Sequence, residues 1–246
     1  MSETLKVSTP RRLKEMVPAD IAACIALDAR LIVPVGTCEQ HGPHLPPGCD
    51  TIIVEHLADD LSAEFGVLRA PSLEYGVNAQ TDGLRPGNAS LRRKTLHRTL
   101  NDLLDSWETS GITEFILLTA NGFEAHAEAL ATVVTKVARV RVVDVLAIPH
   151  ADLLVGGTEP RHGDETDTSL MLHVAPHLVR MELAQDYTVG PGRRRRYTRA
   201  SLRIPTDSSG SIGRPELATP ETGAKVYQRI LSRIRERIFV APPAES

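Results

Sequence analysis

Leu31-Ile32-Val33-Pro34-Val35 is a short apolar run stopped by Gly36. A segment of that length with no polar face suits a parallel strand buried on both sides. Residues 52–64 carry Ile52, Ile53, Leu57 and Leu61, with Phe65 just beyond, a spacing that lines one face of a helix. Residues 67–70 form a second short strand ended by Pro71, and 96–107 return to helical spacing with Leu100, Leu103 and Leu104. Phe115-Ile116-Leu117-Leu118-Thr119 is again strand-like and runs into Asn121-Gly122. A helical pattern over 125–137, a strand over 140–148 broken by Pro149, and helices over 166–174 and 219–239 complete the series. This alternation predicts an α/β fold, a largely parallel sheet covered by helices on both faces.

The chain has 246 residues, 41% of them hydrophobic and 24% charged, which suits one globular domain spanning 1–246. Residues 185–215 break the rhythm with Gly190, Pro191, Gly192 and Pro205, and read as a long loop or excursion. A formal net charge of -3 offers no general attraction to nucleic acid or anionic membrane. No apolar run approaches membrane-spanning length, and no apolar core follows the basic residues near the N-terminus. The three cysteines, Cys24, Cys38 and Cys49, are odd in number and none forms a C-x-x-C pair, so a reducing cytoplasm is expected.

Loops leaving the carboxyl ends of parallel strands gather into one crevice. Three polar clusters follow predicted strands: 39–50, 121–126 and 150–167. In the first, Glu39, His41 and Asp50 offer carboxylate and imidazole donors suited to Zn, Mn or Fe. Gly42, Pro43, Pro46, Pro47 and Gly48 stiffen the loop that carries them.

The string Pro34-Val35-Gly36-Thr37-Cys38-Glu39-Gln40-His41-Gly42-Pro43-His44-Leu45-Pro46, followed by Asp50-Thr51, resembles the signature of the creatininase family of metal-dependent amidohydrolases. Tyr75-Gly76 with Pro86-Gly87, Asn121-Gly122, His162-Gly163-Asp164-Glu165-Thr166-Asp167-Thr168-Ser169, and Gly213 with Ala218-Thr219-Pro220-Glu221-Thr222-Gly223 resemble later family motifs in order. The resemblance implies a three-layer α/β/α fold, a homo-oligomer with a hexamer favoured, and one or two divalent metals per chain. It implies metal ligation by Glu39, His41 and Asp50, with Asp50 bridging, and by Asp167 from the third motif. It implies His162 and Glu165 as catalytic residues, His162 protonating a leaving nitrogen. Tyr75, Asn88 and Asn121 are expected to touch a small-molecule or small-peptide substrate holding a cyclic amide, formamide or peptide bond.

The chain departs from the family pattern where a ligand His is expected directly after Asn-Gly. Phe123 stands there, leaving Glu124 or His126 as stand-ins, with Glu124 the expected ligand. The family's Glu is shortened to Asp167. Cys38 and Cys49 flank proposed ligands and are read chiefly as packing residues, with thiolate ligation as the other possibility. Arg193-Arg194-Arg195-Arg196 could meet an anionic substrate group or another subunit, or simply be a solvated face. The leading reading is a metal-dependent amide hydrolase. The alternative is a catalytically altered or inactive relative that serves as a binding or assembly subunit in a biosynthetic pathway.

Overall fold

Along the segment that decides the fold, Leu31, Val33 and Val35 turn to one side of a sheet and Ile32 to the other. The computed structural model describes residues 9–81, 86–156, 162–190 and 203–240. Its main sheet has five strands: β1 (Arg11–Arg12), β2 (Arg30–Pro34), β3 (Leu68–Arg69), β5 (Glu114–Thr119) and β6 (Arg139–Asp144), in the order β1-β3-β2-β5-β6. Every pairing in it is parallel, and Leu31 sits opposite Phe115, Val33 opposite Leu117. The short strands β4 (Gln80–Thr81) and β7 (Arg203–Ile204) pair separately, also parallel.

Period-two alternation divides the core between the two faces of the sheet. Ile32, Ile116 and Leu118 meet α2 (Cys49–Phe65), α5 (Glu165–Val174) and α6 (Pro220–Ile234) through Ile53, Leu57, Leu170, Met171, Val226 and Ile230. Leu31, Val33, Phe115 and Leu117 meet α1 (Pro18–Leu27), α3 (Arg93–Thr109) and α4 (Glu124–Ala131) through Cys24, Leu96, Leu100, Leu104 and Leu130. The expected parallel sheet with helices on both faces is present. From β2 the chain proceeds to β3 on one side, and β5 then returns to β2's other side. The strand order therefore switches between β2 and β5, where α/β sheets open a ligand crevice.

Most elements shift by a few residues at their ends, and three depart in kind. The helix expected over 125–137 stops at Ala131. Thr132 Oγ1 donates back to the Glu128 carbonyl, and α3 captures the backbone beyond it: Asn101 accepts from the Val134 N–H and Glu108 from those of Lys136, Val137 and Ala138. The strand expected over 140–148 ends at Asp144, whose carboxylate accepts from the Leu146 N–H and opens a single 3-10 turn. The last helix gives way at Arg235 to a short π-helical stretch ending at Phe239. Helix α1, with Pro18 at its first turn, and the edge strand β1 carry too weak a pattern for sequence reading to mark.

Among the described residues no helix is long and apolar enough to cross a membrane. Residues 203–215 of the predicted excursion fold back on the site loops: His162 and Ile212 exchange two backbone hydrogen bonds, as do Tyr187 and Gly213. Arg193-Arg194-Arg195-Arg196 lie outside the described residues.

Candidate metal centre

The three polar clusters meet at the switch point. A cavity of about 70 Å³, room for several waters, is lined by Glu39, His41 and Asp50 beyond β2, and by Asn121 and Phe123 beyond β5. The third cluster, beyond β6, contributes His150, His162, Asp164, Thr166 and Asp167. Asp50 stands in the first turn of α2, and Asp167 in the first turn of α5, where the helix N-terminus favours negative charge.

His41 Nδ1 donates to the Glu39 carbonyl at 2.9 Å, and its Nε2 lies 3.2 Å from Asp50 Oδ1. Glu39 Oε1 accepts from the Ala79 N–H at 2.9 Å, and Asp50 Oδ2 accepts from Thr37 Oγ1 at 2.6 Å. Asn121 joins the two acids: its Nδ2 donates to Glu39 Oε2 at 2.8 Å and to Asp50 Oδ2 at 3.0 Å. The Phe123 N–H fixes that amide by donating to Asn121 Oδ1. Asp167 accepts from the Gly163 N–H at 2.8 Å. Gly163 has φ 58°, and a Cβ there would lie 2.3 Å from the His41 carbonyl oxygen, so only glycine lets the third loop approach the first.

Glu39, His41 and Asp50 are all at most 2% exposed. Burial pushes the Glu39 carboxyl up to about 8, against the pull of His41 and with Asp50 adding to the rise. Burial disfavours the His41 cation, but the charge of Asp50 and its hydrogen bond outweigh that and lift the ring to about 10. Burial likewise works against charge on Asp50, yet His41, Thr37 and Asn121 hold it well below the usual carboxylate range. Two buried acids and an imidazole that perturb one another this strongly concentrate negative charge, which a divalent cation would balance. Oxygen and imidazole donors, buried and already oriented by backbone and amide partners, fit such an ion.

The other sequence-selected residues divide. Asn121, Asp167 and His162 line the cavity; His162 stacks on His41 with centroids 4.3 Å apart and donates from Nε2 to the Gln40 carbonyl at 2.6 Å. Glu165 is buried but turned away, accepting from the Val155 and Gly156 N–H groups. Glu124 is exposed and not among the lining residues. His126 is fully buried outside the lining: Val77 N–H donates to its Nδ1, so its Nε2 donates to Thr119 Oγ1. Asn88 accepts from the Gln40 N–H, and Tyr75 is half exposed; neither lines the cavity. Sequence reading assigned no role to His150. Its Nδ1 donates to the Ile148 carbonyl at 2.7 Å, two residues back, just as His41 does to Glu39. Its place at the mouth of the third strand-exit cluster was the available signal.

A family model described as creatinine amidohydrolase matches residues 14–238. The chain belongs to the creatininase family. It is 29% identical over 245 residues to the mycofactocin precursor peptide peptidase of Mycolicibacterium smegmatis, covering 95% of this chain and 90% of that one. It is 26% identical to the creatinine amidohydrolase of Pseudomonas putida, over 68% of this chain and 72% of that one. A tryptophan-to-phenylalanine mutant of creatininase superposes with a TM-score of 0.77 at 23% identity, over 94% of this chain and 99% of that one. Similar solved structures include a Mn creatininase and a Zn–Zn form of a glutamate-to-glutamine mutant.

Proposed function

We propose that this creatininase-family protein is a metal-dependent hydrolase of a C–N amide bond in a small molecule or small peptide. The observation that carries the reading is the convergence of Glu39, His41, Asp50 and Asp167 on one buried cavity at the switch point of a parallel sheet. These residues would hold a divalent ion, Zn or Mn by analogy with the similar structures and Fe by donor chemistry, and that ion would supply Lewis acidity and activate a water. Asn121 keeps two of the acids in register. Phe123, Leu146, Ala79 and Ala120 give the cavity an apolar wall that strengthens charge interactions inside it. His162 is the proposed proton donor to the departing nitrogen, with His150 a second imidazole on the same wall. Glu165 braces the loop that leads to His162, so its catalytic contribution is one of positioning. Tyr75 and Asn88, outside the cavity, can touch only the outer part of a substrate.

Of the one or two ions expected, we favour one. Asn121 Nδ2 already bridges Glu39 and Asp50, Phe123 brings no donor, and neither Glu124 nor His126 faces the cavity. Elemental analysis of protein purified without added metal should find about one equivalent of Zn, Mn or Fe. Removing it should abolish hydrolysis across a panel of cyclic amides, formamides and short peptides. Only trace metal, unchanged by reloading, would sink the catalytic reading.

Phe123 motivates the second reading, a member of the fold that binds or assembles without catalysing. Should hydrolysis be detected in Phe123→His and not in the natural chain, that second reading stands. We further propose a single domain, a cytoplasmic location in keeping with free Cys24, Cys38 and Cys49, and a homo-oligomer, hexamer favoured. The oligomer is supported by Val134, Val137 and Val142, exposed in and just before β6, which among the described residues pairs only with β5. Light scattering of the eluted protein measures its mass directly.

A further inference from the structure

Cys49 opens α2 one residue before Asp50 and is fully buried. One ligand atom from each of His41, Cys49 and Asp50 lies within 4.8 Å of the other two, the tightest group of potential metal donors among the described residues. A zinc ion holds sulfur at about 2.3 Å and imidazole nitrogen at about 2.0–2.1 Å, so two such donors on one ion stand at most about 4.4 Å apart. The observed cluster is bounded at 4.8 Å, a few tenths of an ångström above that limit. The other two cysteines have different surroundings: Cys24 accepts from Arg11, and Cys38 donates to the Gly87 carbonyl in a half-exposed loop.

We propose that Cys49 is a thiolate ligand, joining His41 and Asp50 to bias the centre toward zinc over manganese. This rests on the metal-dependent reading above and goes beyond it. Coordination replaces the S–H bond with a metal–sulfur bond and releases one proton to solvent. A soft sulfur donor selects zinc-like ions, whereas carboxylate and water donors suit manganese. Cys49 is not among the residues lining the cavity and also touches the apolar cluster of α2. It would thus bind the ion from the helix side and leave the cavity side open for water and substrate.

Titrating the reduced, metal-free full chain with cobalt(II) tests the proposal. A sulfur-to-cobalt charge-transfer band in the near ultraviolet should grow to saturation in the natural chain. It should persist in Cys24→Ser and Cys38→Ser and vanish in Cys49→Ser, which should lose zinc affinity by roughly tenfold or more while manganese affinity changes little. X-ray absorption of the zinc-loaded Cys24→Ser/Cys38→Ser protein keeps the test independent of how Cys49→Ser folds: a sulfur scatterer at about 2.3 Å is expected. Visible cobalt bands without the ultraviolet band, no sulfur in the zinc shell, or a band that disappears in Cys38→Ser would each overturn the thiolate while leaving the metal reading intact. A chain that binds no cobalt overturns both.

Discussion

Asn121 holds Glu39 and Asp50 together with a single NH2 group. Removing it strips one donor from each of two buried acids, and an unsatisfied buried acceptor costs about 1–3 kcal/mol. Asn121→Ala should therefore lower the unfolding free energy of the metal-free protein, read from urea melts, by an amount in that range, and zinc should restore part of the loss. Equal unfolding free energies with and without the amide would show that the acids need no such clamp. At this scale the sequence was informative about residue type and less so about direction. Glu39, His41, Asp50, Asn121, His162 and Asp167 all reach the cavity, because strand ends aim their loops there. Glu124, Glu165, Tyr75 and Asn88 stood equally close to the motifs, yet their backbone directions send them elsewhere, and no spacing rule reports that.

Gly163 joins two elements, the loop before α5 and the loop after β2. Its left-handed φ and the 2.3 Å approach to His41 mean that Gly163→Ala must both strain the backbone and push the loops apart. The left-handed conformation alone costs about 1–2 kcal/mol in an alanine, so a destabilisation of at least about 2 kcal/mol is expected in chemical denaturation. A loss below roughly 0.5 kcal/mol, the scatter of ordinary surface changes, would show that the two loops are not held in contact. The central strands β2 and β5 were readable because burial on both faces leaves an unbroken apolar run. The end of α4 was not, because Asn101 and Glu108 reach in from α3, distant in sequence, to take the N–H groups that a longer helix would have used.

For the molecule as a whole, His44 ties stability to pH. Its Nε2 lies 2.8 Å from Thr168 Oγ1, linking the first loop to α5, and burial with the charge of His41 nearby brings it down to about 4. An unfolded histidine takes up its proton near 6.5, so between about 6.5 and 4 the unfolded chain binds more protons than the fold. Stability from the neutral ring is present above that window and is lost as pH falls through it, by about 2 kcal/mol on reaching pH 5. His44→Gln, which cannot titrate, should be less stable than the natural chain at pH 8 and should close that gap by pH 5 in parallel urea melts. A gap independent of pH would exclude His44 as the source of acid sensitivity.

The amide of Asn121 also bears on how freely the crevice can rearrange. Because one neutral side chain bridges the two acids, their spacing is set by the protein's own atoms. A centre built in this way is preorganised: whatever binds beside the acids meets donors already in place, and little of its binding energy is spent on ordering them.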